Sequence, residues 1–166
     1  MDILEIFDRV DEINLRVKEL ERKSFYLEGF YLRIQIIEFL VQRAIVHQEE
    51  WVRKLINRGG LKYIGNNEEA LKGKTLGELI GLLSEHCKDE QLISRLNGIN
   101  SFRKRIVHRL LEDKLPLGSI DNEAKHKLLE YERLINKLLK YILSMSGKYT
   151  QSLKRKRKKL SKNLTR

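Results

Sequence analysis

The chain has 166 residues, of which 41% are hydrophobic and 34% charged, with a formal net charge of +11. That length suits one domain with a substantial core, and no run approaches the roughly 18 uninterrupted apolar residues of a membrane span. A lone cysteine, Cys87, excludes an internal disulfide framework, and Asp2 and Glu5 stand where a secretory leader would carry bases, so a reducing, cytoplasmic setting is expected.

Residues 2–22 place Ile3, Ile6, Phe7, Val10, Ile13, Val17 and Leu20 at spacings of three and four, one apolar stripe of a helix. Asp2 and Glu5 would form a capping box at its start. Ser24 is then the expected N-cap of a longer helix, whose apolar positions from Phe25 to Ile56 form a stripe broad enough for a central element touching several neighbours. Gly59-Gly60 should end it. Residues 59–74, rich in Gly and Asn, read as a connection with one short turn at Glu68–Leu71.

Thr75 with Glu78 is a capping box ahead of Leu76, Leu79, Ile80, Leu82 and Leu83, predicting a helix to about His86. Asp89 should cap the next helix, which carries Leu92, Leu96, Ile99, Phe102, Ile106 and Leu110. Pro116 and Gly118 punctuate the chain. Ser119 or Asp121 is expected to cap a last helix, and Gly147 to stop it. The expected fold is all-α: an up-and-down bundle of about five helices with a disordered basic C-terminal tail.

The charge is unevenly placed. Nine of the 34 basic residues fall in 148–166 with no acid among them, leaving 25 bases against the 23 acids of the body. The chain thus divides into a nearly neutral bundle, residues 1–147, and a basic flexible tail, residues 148–166. Within the tail, Lys154, Arg155, Lys156, Arg157, Lys158 and Lys159 form a self-repelling run that attracts polyanions in a salt-sensitive way. No aromatic residue interrupts that run, so it offers charge without base stacking. RNA, or another nucleic acid, is its expected partner. An anionic membrane surface or a merely solubilising role are the alternatives.

Most catalytic constellations are missing from the sequence. The glycines lack the Gly-Lys-Ser/Thr ending of a phosphate-cradling loop, and His86-Cys87 has no second pair to complete a zinc site. No metal and no cofactor is expected. His47, four residues after Arg43, reads as a helix-surface histidine. The exception is Asn100-Ser101-Phe102-Arg103-Lys104-Arg105-Ile106-Val107-His108-Arg109, where one imidazole lies within two turns of three guanidinium groups. Histidine moves protons near neutral pH and arginine grips phosphate with paired donors. Together they could cleave an RNA phosphodiester without metal.

Arg103, four residues, then His108 resembles the Arg-x4–6-His motif of HEPN (higher eukaryotes and prokaryotes nucleotide-binding) domains. Thr75-Leu76-Gly77-Glu78-Leu79-Ile80, then Leu96, Asn97 and Phe102, and the earlier Tyr31-Leu32-Arg33-Ile34-Gln35-Ile36-Ile37-Glu38, are similar to members of that superfamily, over roughly residues 24–145. The resemblance implies a helical bundle, a homodimer with facing motifs, and metal-independent endoribonuclease activity of the toxin–antitoxin, defence or RNA-processing kind, with a cognate antitoxin as a further partner. Arg103 and His108 would be the catalytic residues, and Arg105 and Arg109 would steer nucleic acid or line the dimer surface. The alternative is a non-catalytic helical module that binds protein or nucleic acid. Positions five apart on a helix differ by roughly 140° around its axis, so the two groups come together only if the helix ends or bends there, or if another chain supplies a partner, as the facing-motif dimer would.

Overall fold

The computed structural model describes the backbone of residues 3–57, 63, 65–111 and 117–164, and the side chains of these except 109, 111, 117, 146 and 148–164. Among them the architecture is all-α. The helices are α1 (Ile3–Arg22), α2 (Tyr26–Ile56), α3 (Glu68–Leu71), α4 (Leu76–Ser84), α5 (Glu90–Leu111) and α6 (Leu117–Leu164). The single turn expected at Glu68–Leu71 is α3, which brings the total to six. Among the described residues no helix is long and apolar enough to cross a membrane.

The broad apolar stripe of α2 has the consequence it should: α2 packs on α1, α3, α4 and α6, while α5 joins α4 and α6. Ile36, Ile37, Leu40, Val41, Ala44 and Ile45 are all buried, so adjacent positions of the same helix face different neighbours. At the centre Phe30 is fully buried, its ring centroid 5.4 Å from each of Tyr31, Phe102 and Tyr131. The edge-on contact to Phe102 joins α2 and α5 in the favoured aromatic geometry. Tyr131 is buried without a partner for its hydroxyl among the described residues, and that burial pushes its phenol far above the ordinary range, so it stays protonated.

Local capping follows the sequence where the cap and its helix are adjacent. The Thr75 hydroxyl accepts from the Glu78 N–H, and the Glu78 carboxylate accepts from the Thr75 N–H at 2.7 Å, a complete capping box. Asp89 accepts from the Leu92 N–H at 2.9 Å and also holds Lys137 of α6 at 2.9 Å. The pair with Lys137, then the bond from Leu92, hold the Asp89 carboxyl below its ordinary range. The capping box expected at Asp2 and the stop at Gly59-Gly60 lie outside the described residues.

Three expectations are corrected. Ser24 does not cap α2. It has φ 62 and ends α1. The Phe25 N–H bonds to the Leu20 carbonyl and the Ser24 N–H to the Glu21 carbonyl, the paired bonds of a Schellman motif. Serine suits an N-cap and also enters this turn, so its type alone leaves the choice open. Secondly, Ser119 and Asp121 lie inside α6, which already begins at Leu117. Asp121 caps another helix instead: its Oδ1 accepts from the Leu27 N–H at 2.8 Å, filling the role that Phe25, with no side-chain acceptor, leaves open at the start of α2. Thirdly, Gly147 does not stop α6, which continues to Leu164, through nearly all of the segment expected to be disordered. A Cβ at Gly147 would meet nothing within 4 Å, so no close approach forces the chain to turn there. A glycine inside a helix costs only about 1 kcal/mol, which good helix formers on either side can carry.

Ser24→Gly should raise stability by about 0.5–1 kcal/mol, because glycine enters the left-handed region without the Cβ clash, offset in part by its freer unfolded chain. Urea denaturation midpoints of the two proteins check this.

Candidate functional site

Helix α5 is positioned by Ile99, Phe102 and Ile106, buried at spacings of three and four against the rest of the bundle. This orientation assigns the remaining positions. Arg103 follows Phe102 and lies at the margin of the core, 27% exposed, with its guanidinium 3.8 Å from the Glu38 carboxylate of α2. That separation is an ion pair at long range rather than a close hydrogen bond. Beside it the Tyr31 phenol is raised in pKa by burial, with the Arg103 charge pulling the other way. Arg103 therefore sits beside the Glu38 carboxylate and the Tyr31 phenol of α2.

His108 lies on the outward side. Its side chain is exposed, as are those of Ser101 and Lys104. Counting 100° per residue sets it opposite Ile99 on the helix and roughly 140° from Arg103. Within one chain the imidazole and the guanidinium project from different faces of α5. Arg105 points a third way, reaching Glu123 of α6 at 3.3 Å and lying over the Phe102 ring at 4.9 Å. Its side chain is 54% exposed, so this pair is weak and the charge remains open to solvent. The side chains of Arg109 and of Lys154, Arg155, Lys156, Arg157, Lys158 and Lys159 lie outside the described residues.

No family model, curated protein or solved structure matches this chain.

Sequence reasoning gave no site role to Glu38, Tyr31 or Asn100. Glu38 is an acid within the apolar run Ile34–Leu40, and an acid in such a place carries the signal that it has a cationic partner. Asn100 is 8% exposed with its Oδ1 unpartnered among the described residues, and its amide nitrogen would lie 3.0 Å from a Cβ built on Gly77. Gly77 thus lets α4 approach α5 just below the Arg103 turn.

His47, expected on the surface, is half-buried, and burial is the first cause holding its imidazole below the ordinary value. Glu50 opposes this shift and Arg43 reinforces it. The folded state binds this proton less readily than the unfolded chain. Stability is therefore unaffected above the unfolded value near 6.5 and declines as pH falls through it. His47→Gln should remove that share of acid sensitivity, seen as a smaller drop in urea midpoint between pH 7 and pH 5.

Proposed function

We propose that this chain acts on RNA as a HEPN-like, metal-independent endoribonuclease and works as a homodimer. The observation that carries the reading is the solvent-exposed imidazole of His108, five residues along α5 from an Arg103 that Glu38 steadies at partial exposure. One helix rises about 7.5 Å over that interval, comparable with the reach of a scissile phosphate and its neighbours. The angular gap is what a second copy would close, by supplying His108 to the Arg103 of its partner across a two-fold axis.

In that arrangement a neutral His108 takes the proton of the RNA 2′-hydroxyl, and the oxygen attacks the adjacent phosphorus. Arg103 neutralises charge on the non-bridging oxygens. The protonated His108 of the other copy gives its proton to the departing 5′-oxygen. The products are a 2′,3′-cyclic phosphate and a 5′-hydroxyl, with no net proton consumed. The basic run 154–159 would tether RNA electrostatically and raise its local concentration. A cognate antitoxin would silence the enzyme by covering the same face.

RNA incubated with the protein in EDTA should yield these two termini, and light scattering should give the mass of two chains. Intact RNA together with a monomeric mass would remove the proposal. Deletion of residues 148–166 should weaken RNA binding and flatten its salt dependence, by about 0.7 in log–log slope for each phosphate the tail neutralises, while sparing cleavage of a short oligonucleotide.

One observation favours a second reading. The Arg103–Glu38 pair is satisfied within a single chain, which is what a non-catalytic interaction module would also show. Under that reading Arg103→Ala alters stability and partner binding but no RNA is cut.

A further inference from the structure

A cleft of about 840 Å³ opens between the C-terminal half of α2, the α4–α5 connection and α6, and it shares no lining residue with the group formed by Arg103, Glu38 and Tyr31. Its size falls within the range of small-molecule sites. Trp51, Val52, Tyr141 and Met145 give it a largely apolar, polarisable lining. Trp51 remains 41% exposed, which is unusual for the single tryptophan of a chain with a well-filled core.

The polar chemistry of the cleft is fixed by a directed chain of hydrogen bonds. The Gln48 amide nitrogen donates to the Tyr141 hydroxyl at 2.5 Å. Burial, then a hydrogen bond with the Cys87 thiol, push the Tyr141 phenol far above its ordinary range, so it keeps its proton. Cys87 in turn lies 4.0 Å from the Asp89 carbonyl, within reach of a thiol donor. With its nitrogen committed to Tyr141, Gln48 is left with an amide oxygen that accepts from no group among the described residues, on a residue only 7% exposed. A buried acceptor without a donor is costly, and a donor brought by a ligand removes that cost. The charges of the lining balance: it carries Glu85 and Lys88, and Asp89 is neutralised by Lys137 at 2.9 Å. Nothing there favours an anion.

We propose that this cleft binds a neutral, largely aromatic small molecule that presents an amide-type N–H to Gln48. The inference does not rest on the ribonuclease reading, since it uses neither Arg103 nor His108. The two aromatic faces of such a ligand meet Trp51 and Tyr141, and a modest shift of the Gln48 side chain brings its oxygen to the N–H.

The test uses benzanilide and its ester counterpart phenyl benzoate, which differ in the single N–H. Titration of the full chain is followed through the indole N–H resonance of Trp51, the one tryptophan of the sequence. Benzanilide should shift that resonance saturably, and phenyl benzoate should bind about tenfold more weakly. In Gln48→Leu the two compounds should bind alike. Nuclear Overhauser contacts from the benzanilide rings to the Met145 methyl in the unsubstituted protein serve as a check that needs no variant. No saturable shift with benzanilide, no contact with Met145, or an N–H preference that survives Gln48→Leu would each overturn the site.

Discussion

His108→Ala should lower the RNA cleavage rate in EDTA by about 10²–10⁴-fold, the range for removing a positioned general acid or base. Because each active site of the proposed dimer draws an imidazole from both copies, the substitution removes base and acid together, and the upper end of that range is expected. The exposure of His108 makes the experiment clean, since truncating an exposed side chain usually shifts stability by no more than about 0.5 kcal/mol. Arg103→Ala should also cut the rate strongly, with part of its effect in substrate affinity. Unlike His108, it also releases Glu38 from its cation, so its folded fraction must be followed by circular dichroism. Mixing His108→Ala with Arg103→Ala chains separates the proposals further. If the sites are shared across a two-fold axis, heterodimers keep one imidazole beside an intact Arg103 and should cleave faster than either variant alone, yet slower than the parent, which has both imidazoles. If both single variants cleave as the parent does, the motif has no part in the chemistry.

The largest structural effect is expected at Phe30. Phe30→Ala should cost about 3–5 kcal/mol in urea unfolding, because the ring is fully buried and three aromatic neighbours surround it at 5.4 Å. That is a large share of the about 5–15 kcal/mol that holds a domain of this size together. Phe30→Leu, which keeps most of the volume, should recover the greater part. A loss below about 1 kcal/mol would mean that Phe102 and Tyr131 close the gap and that the α2–α5 junction is softer than its geometry implies.

What the sequence makes legible follows interaction range. Thr75 with Glu78, and Asp89 with Leu92, act within one turn, and spacing alone discloses them. The apolar stripe of α2 is broad because several helices surround it, and breadth too can be counted in the sequence. Asp121 defeats local reading: its partner Leu27 lies 94 positions away, and an aspartate near a helix start looks like a cap for its own helix. Ser24 fails for another reason, since the same small polar residue fits both the end of one helix and the start of the next. In the candidate site, the motif residues are visible as a pattern. The directions in which they project, and the hold of Glu38 on Arg103, appear only when α2 and α5 are placed together.

The bond from Asp121 to the first turn of α2 also bears on how the molecule assembles during synthesis. As the ribosome extends the chain, α1 and α2 emerge long before residue 121 exists. Throughout that interval the α2 entrance lacks its acceptor, and the surface later covered by α6 stands open. Until α6 arrives, α1 and α2 can pack on each other but not on their last neighbour, and chaperones would have their longest opportunity on the stretch from Tyr26 to Ile56.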